Sequence, residues 1–580
     1  MNILGLSCFY HDAAACLLQD GKITAAAEEE RFTRRKHDVS FPINSAKWCL
    51  EYAGLDISDI DYVAFYEKPF IKFERMMAQH MEMFPRSLRI FTETMPAWIN
   101  EKTRIHSIIR KRLRFHKDVF YIEHHLAHAA SSYLVSPFNE SAILTVDGVG
   151  EWDTTTLGYG RGGDIRLLKS IQFPHSIGLL YSTFTAHLGF TVNNSEYKVM
   201  GLAPYGRPIY YDRFMKFIDV KDDGSYHLDM SWFDYHYKNT MPGKKIIDEF
   251  GPVRKPAEEL TQHHKDIAAS LQKVTEDMLM GLLKHLHDLT HIDNLCLAGG
   301  VALNSVANGK IIRQTPFRNV YIQPQAGDGG TCIGAAAFTY SSILGKGRTD
   351  VMETAYLGPL YSDEEIREFL DVNGVKYSTF RDSREMVETA AKMIYEDSVV
   401  GWFQGRMEWG PRALGARSIL SNPCNPNMQD ILNLKVKHRE KFRPFAPVVC
   451  VEDALDWFEC DNPVPIPTDF MLMVYPIKPE KRKLIPAVTH VDGSGRLQTI
   501  RREHNPDYWA VIKEFGRLSG VPILINTSFN IRGEPIVCTP YDAYKCMMGT
   551  GIDCLIIGRQ VVFREDNPQD MWDSEETATD

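Results

Sequence analysis

Two stretches in the first third of the chain follow one plan. The first runs "ILGLSCF", the polar turn "YHD", "AAACLLQ", the turn pair Asp20-Gly21, then "KITAAAEE". The second, from Ser141, is "AILTVDGVGEWDTTTLGYGRGGDIRLLKSI": an apolar strand, an acidic glycine turn at Asp147 to Gly150, a Thr-rich strand, a Gly162-Gly163 turn and a third strand. Short apolar blocks bounded by turn formers are strands, so each stretch predicts a strand-turn-strand meander. The same unit made twice predicts two similar subdomains facing each other across a cleft, with both turn tips pointing into it.

Two strand-loop-helix units follow, "NLCLAGGVALNSVANGKI" and "VYIQPQAGDGGTCIGAAAFTY". Each runs an apolar strand into a glycine turn and a small-residue helix, which lets backbone N–H groups approach a phosphate closely. Around Gly345 to Asp363 periodicity gives way to Gly, Pro and charge. That is linker composition, and it predicts domains of residues 1–355 and 356–580. A chain of 580 residues exceeds one hydrophobic core in any case.

Composition narrows the class. A net charge of −10 argues against a surface generally attracted to nucleic acid or anionic lipid. Eleven cysteines without a CxxC pair, several in apolar runs, predict free thiols in a reducing, cytoplasmic compartment. The start "MNILGLSCFYHD" lacks a basic n-region, and no uncharged run is long enough to cross a bilayer, so a soluble chain is expected. The acidic tail from Glu565 has little to bury and reads as a mobile segment or a packing strap.

In "EHHLAHAASS", His124 and His128 are four apart and share a helix face, while His125 points elsewhere. No glutamate follows the first histidine, so the metalloprotease pattern is absent. Asp147 and Asp328 both follow apolar strands at glycine turns and project carboxylates from strand ends. Two imidazoles and two carboxylates suit iron(II), manganese or zinc better than calcium or magnesium. The plainer reading is a histidine pair on a solvated helix.

Residues 401–450 carry Arg406, Arg412, Arg417, Lys435, Lys437, Arg439, Lys441 and Arg443 against Glu408, Asp430 and Glu440. In an acidic chain this reversal predicts an anion site, with arginines on tight turns suited to phosphate or carbamoyl groups; an exposed basic face is the bland alternative. "THVDGSGRLQTIRRE" with Arg496, and "PILINTSFNIRGEPIV" with Asn526 and Ser528, suggest ligand-facing strand ends or simple turn caps.

Taken together, "SCFYHDAAACLLQDGKITAAAEEERFTRRKHDVSFP", "EHHLAHAASS", "DGVGEW", "SEYKVMGLAPYGRP", "LAGGVALN", "GDGG", "GRMEWGPRALGARSIL" and "NTSFNIRGEPIV" resemble the O-carbamoyltransferases of antibiotic and nodulation-factor biosynthesis. The resemblance implies an α/β protein with a duplicated N-terminal domain of the actin and Hsp70-like ATPase superfold (ASKHA, Kae1-like) and a C-terminal YrdC-like α/β domain. It implies carbamoyl adenylate formation from ATP, with magnesium, and carbamoyl phosphate in the second domain. Transfer to a hydroxyl of a small-molecule natural product or sugar follows in the first.

By the same resemblance His124, His128, Asp147 and Asp328 hold iron(II) or a similar divalent metal, and Gly299, Gly300 and Asn304, with Glu196 and Lys198, hold the adenosine end. His11 and Asp12 serve the acceptor hydroxyl, with Lys36 near the leaving phosphate. Arg412, Arg417, Lys437, Arg443, Arg496, Asn526 and Ser528 bind carbamoyl phosphate and the ATP phosphates. A tRNA threonylcarbamoyl-type enzyme and a non-catalytic nucleotide switch are the competing readings. No stable nucleic acid or membrane partner is expected, and a homodimer stays open.

Overall fold

The structure, a computed structural model, describes residues 1–238, 240–440 and 442–568. The chain divides into two compact units: Met1–Glu29 with His37–Met352, and Glu30–Lys36 with the residues from Glu353 onward. The expected linker starts later than its composition suggested. Arg348 donates to the carbonyls of Phe138, Tyr133 and Ser136, and the Met352 N–H donates to the Val135 carbonyl at 2.9 Å, which ties this stretch to the first unit. Most of the acidic tail lies outside the described residues.

The first unit contains the duplication. Strands Asn2–Ser7 (β1), Ala14–Gln19 (β2), Lys22–Glu28 (β3), Tyr62–Phe65 (β4) and Val119–Tyr121 (β5) form one sheet in the order β3-β2-β1-β4-β5. Strands Glu140–Val146 (β6), Asp153–Arg161 (β7) and Asp164–Gln172 (β8) are followed by a two-stranded hairpin, Ile218–Val220 (β9) and Tyr226–Leu228 (β10), and then by Asn294–Ala298 (β11) and Asn319–Tyr321 (β12). The second sheet reads β12-β11-β6-β7-β8. In each sheet the first three strands form an antiparallel meander and the last two run parallel to the first. The wiring is identical, as the repeated meanders predicted.

Residue choice explains the strands. Ile3, Leu4, Leu6 and the run Ala14–Leu18 are buried without alternation, the pattern of strands covered on both faces. Asp20 and Gly21 both have positive φ, 47° and 88°, which the two-residue turn between β2 and β3 requires.

A helix follows each fifth strand: His124–Tyr133 after β5 and Thr331–Phe338 after β12. Both are built of small residues, and they cross closely. A Cβ on Gly334 would lie 1.8 Å from the Ala127 carbonyl oxygen, and one on Gly5 of β1 would lie 2.0 Å from the Cys332 carbonyl oxygen. Only glycine permits those approaches.

The second unit is a nine-stranded mixed sheet. Its strands are Ser378–Thr379 (β13), Val400–Phe403 (β14), Arg417–Ser421 (β15), Ala446–Cys450 (β16), Met473–Pro476 (β17), Ser494–Ile500 (β18), Ile523–Ser528 (β19), Cys554–Ile557 (β20) and Gln560–Phe563 (β21), ordered β13-β21-β20-β14-β15-β19-β16-β18-β17. Helices Ser383–Tyr395 and Pro506–Ser519 bury Ala390, Ala391, Ile394, Val511, Ile512 and Phe515 in one core with Trp402. Each buried Val, Ile or Phe among them contributes about 1.5–3 kcal/mol. None of the described helices is long and apolar enough to cross a membrane.

Candidate active site

The duplicated helices and meander turns converge on four side chains. His124 and His128 stand one turn apart on the first helix, Asp147 follows β6, and Asp328 opens the turn into the second helix. His124 Nε2 lies 3.1 Å from His128 Nε2, 3.2 Å from Asp147 Oδ2 and 3.6 Å from Asp328 Oδ1. His128 Nε2 lies 3.4 Å from Asp328 Oδ1 and 3.9 Å from Asp147 Oδ2. All four residues are buried. His125, by contrast, turns away and meets Thr145 Oγ1 at 2.6 Å.

The donor set fits a divalent metal. Ligands about 2.0–2.2 Å from one ion stand about 3.0–3.6 Å from each other, which is the spacing seen between most of these atoms. Asp328 Oδ1 has no hydrogen-bond partner although it is buried, a costly state for a carboxylate oxygen. Burial works against charge on His124, yet Asp328 and Asp147 outweigh it and raise its pKa. Asp147 is likewise desolvated, and the surrounding imidazoles still hold it well below the ordinary carboxylate range.

Neighbours fix this geometry. Glu151 accepts the His124 N–H with both oxygens, at 3.1 and 3.0 Å, and the Lys68 N–H at 2.7 Å. A carboxylate at a helix N-terminus complements the exposed donors and the dipole. The Gly300 N–H donates to Asp147 Oδ1 at 2.9 Å.

The other meander turn supplies a second chain of groups. His11 Nε2 lies 3.8 Å from Asp328 Oδ2, and His11 Nδ1 lies 3.3 Å from Asp12 Oδ2. Asp12 Oδ1 meets His37 Nδ1 at 2.7 Å, and His37 Nε2 meets Asn194 Oδ1 at 2.9 Å. Burial opposes charge on His11, but Asp328 and Asp12 lift its pKa to about 10. Phe9, Asp12 and His37 all have positive φ, 72°, 53° and 55°, and such strain in non-glycine residues persists where a site over-determines the backbone.

Lys36, expected near the leaving phosphate, belongs to the Glu30–Lys36 segment of the second unit. The partner of Asp12 is the next residue, His37. Sequence reading passed over His37 and Asn194, although "TRRKHD" displayed the histidine.

The residues assigned to adenosine are placed differently from one another. Gly299 adopts φ 95°, and a Cβ there would meet the Val146 carbonyl oxygen at 2.2 Å; with Gly300 it packs against the Asp147 strand end. Asn304 exchanges two hydrogen bonds with Gln272, at 3.0 and 3.1 Å, and caps the Ala307 N–H. Glu196 accepts from Ser182 Oγ and the Asn193 N–H at 2.9 and 2.8 Å. Lys198 is buried with its ammonium 5.8 Å from the Phe190 ring centre.

In the second unit, Lys437 and Ser528 come together. The Lys437 ammonium donates to the Ser528 carbonyl, and it reaches Asn530 Oδ1 at 2.8 Å, the Asn530 carbonyl at 3.2 Å and Ser528 Oγ at 3.3 Å. Burial, with Arg439 and Arg443 nearby, pushes its pKa well down. Asn526 donates to Gln498 Oε1 at 2.6 Å and to the Ala413 carbonyl at 3.1 Å, while its Oδ1 has no partner. Arg412 is half-buried in the same loop, Arg496 pairs across β18 and β17 with Val474, and Arg443 lies 3.5 Å from Glu440.

Arg417 is placed otherwise. It is fully buried, stacks 3.6 Å over Phe403, and donates to the carbonyls of Gln404, Gly405, Ala416 and Pro359 at 2.9 to 3.1 Å. Beside it, Glu408 Oε1 accepts the N–H groups of Leu414, Ala416 and Arg417 at 2.8, 2.6 and 3.0 Å. This pair shapes the glycine-rich loop, and Glu408 had been counted only as a charge.

Residues 2–337 match the family model of the carbamoyltransferase N-terminus and residues 391–564 that of the carbamoyltransferase C-terminus. The chain belongs to the carbamoyltransferase family. The uncharacterized protein sll1178 of Synechocystis sp. is 46% identical to this carbamoyltransferase over 98% of this chain and 97% of its own length. Nodulation protein NolNO of Sinorhizobium fredii is 37% identical over 97% of this chain and 80% of its own. The uncharacterized protein MJ1058 of Methanocaldococcus jannaschii is 31% identical over 97% and 100%. The crystal structure of T. kodakarensis HypF overlaps 59% of this chain and 48% of its own at 13% identity and a TM-score of 0.33, too low to carry weight.

Proposed function

We propose that this carbamoyltransferase works in two steps on a hydroxylated small molecule. In the second unit, read as YrdC-like, water cleaves carbamoyl phosphate to carbamate and phosphate, and a carbamate oxygen then attacks the α-phosphorus of ATP with loss of pyrophosphate. In the first unit the acceptor hydroxyl attacks the carbonyl carbon of the carbamoyl adenylate, the bond to the phosphate oxygen breaks, and AMP leaves. The logic is physical: carbamate is a poor acyl donor and falls apart in water, so it is joined to a good leaving group and transferred where solvent is excluded.

The convergence of His124, His128, Asp147 and Asp328 carries this reading. A divalent cation of the iron(II), manganese or zinc type held there would supply Lewis-acid polarisation of the donor's oxygens. The chain's own residues handle the proton. His11 directs Nδ1 at Asp12 and Nε2 toward Asp328; a cation neutralising Asp328 and Asp147 would remove the charge that keeps this imidazole protonated and free Nε2 to take the hydroxyl proton, while His37 with Asn194 fixes Asp12 in place. Lys437 and Ser528 stand together at the end of β19, where phosphate oxygens would lie, with Asn526, Arg412, Arg443 and Arg496 as further contacts. The described cysteines are free thiols and mostly buried, in keeping with a reducing cytoplasm.

The test is incubation of the full chain with ATP, magnesium and carbamoyl phosphate, without acceptor. Pyrophosphate and a carbamoyl adenylate mass are expected, and Lys437→Met is expected to slow their formation by roughly thirtyfold, the worth of one charged hydrogen-bonding group. No pyrophosphate from the wild-type chain would remove the first step.

A further inference from the structure

The segment after β4, "EKPFIKFERMM", takes no part in the reaction above, yet it buries two cations. Helix Pro69–Glu82 places Lys72 and Arg75 three apart, on one face, and both are buried. Lys72 has a partner: its ammonium lies 2.5 Å from Glu67 and 5.2 Å from the ring centre of Tyr10, the residue before His11.

Arg75 is 6% exposed, and its Nε has no hydrogen-bond partner. Its guanidinium stacks 4.9 Å over Phe173. The acids that act on it, Glu67 and Glu151, are spent: Glu67 on Lys72, and Glu151 on the N–H groups of His124 and Lys68. Burial lowers its pKa only to about 10, so it keeps its charge at neutral pH. The same helix face borders the four-residue cluster: Lys72 stands over Tyr10, whose neighbour His11 reaches 3.8 Å from Asp328 Oδ2, and Tyr66, beside Glu67, lies edge-on to His124 with ring centres 5.5 Å apart.

We propose that Arg75 is an anion-binding group of the first unit's cleft, taking a phosphate or carboxylate of the bound ligand on the in-plane edge of its guanidinium. The chemistry favours this. A guanidinium stacked on an aromatic ring presents its edge N–H donors in one plane, matched to two oxygens of an anion. A buried cation without an acid to bind is otherwise an expense the fold would shed. The proposal rests on the reading that this unit holds the transfer cleft.

Two sources share the chemistry: the nucleotide phosphate of the donor, or an anionic substituent on the acceptor. Calorimetric titration of the full chain with AMP, and separately with glucose 6-phosphate and glucuronate, distinguishes them. Arg75→Met is expected to weaken AMP by about tenfold or more if the donor is the guest, or to weaken the sugar anions and leave AMP unchanged if the acceptor is. Arg75→Lys, which keeps the charge but loses the fork, should show an intermediate loss and serves if the methionine variant does not fold.

Equal binding of every probe by wild type and variants overturns the proposal, as does a wild-type chain that binds none of them. Pyrophosphate release from ATP and carbamoyl phosphate should be the same in Arg75→Met. Loss of that release in the wild type would strike at the two-step reading instead, so the two failures are separable.

Discussion

The four-residue cluster of the first unit and the Lys437 region of the second both bury ionisable groups, and they treat them in opposite ways. In the first, imidazole nitrogens and carboxylate oxygens face one another at 3.1 to 3.9 Å and Asp328 Oδ1 is left without a donor. In the second, the cations are met by carbonyls: four for Arg417, and two plus an amide oxygen for Lys437. Convergent donor atoms that lack partners mark a place for a ligand. Cations saturated by backbone oxygens mark a scaffold, and only those that also touch strand-end hydroxyls and amides, as Lys437 does, remain in position to meet a substrate.

That contrast can be broken by substitution. The largest effect is expected from Asp328→Asn, which should slow carbamoyl transfer on the order of a thousandfold, since Lewis-acid stabilisation is worth several kcal/mol; pyrophosphate release should persist. If transfer in this variant stays within a few-fold of wild type, the cluster is not the transfer site.

Arg417→Met comes next. It leaves the carbonyls of Gln404, Gly405, Ala416 and Pro359 without their donor, and should cost about 3 kcal/mol or more in denaturant unfolding. ATP affinity of the folded fraction should hold. A variant of normal stability that has lost ATP binding would move Arg417 from scaffold to ligand contact.

The smallest effect belongs to Glu151→Gln. It keeps the shape of the cap on the His124 helix but removes the charge, and should cost about 1 kcal/mol in the same unfolding measurement. An unchanged midpoint would show that the charge on Glu151 has no structural role.

Legibility in the sequence tracks the range of the interaction. The two meanders were readable because turn residues and apolar blocks are local, and the two sheets share their strand order. His124, His128, Asp147 and Asp328 were readable because a helix spacing and two glycine turns carry them, and the fold brings all four together. The partners of those groups were not readable. His37 meets Asp12 across 25 positions and Asn194 across 157, and no local pattern announces such pairs.

Role was harder to read than place. Arg417 and Lys437 look alike in a list of basic residues, yet one is consumed by carbonyls from two loops and the other ends among strand-end side chains. The transfer of Glu30–Lys36 to the second unit was equally hidden, because it depends on Arg31 and Arg34 donating to the carbonyls of Gly410 and Ile536, hundreds of residues away.

The most direct test of the cluster is metal analysis of freshly purified full-length chain, prepared without air, beside the His124→Ala/His128→Ala double variant. About one equivalent of iron, manganese or zinc per wild-type chain, lost in a double variant that still unfolds cooperatively, is the expected result. A metal-free wild type with full transfer turnover, or equal metal in both proteins, would contradict it.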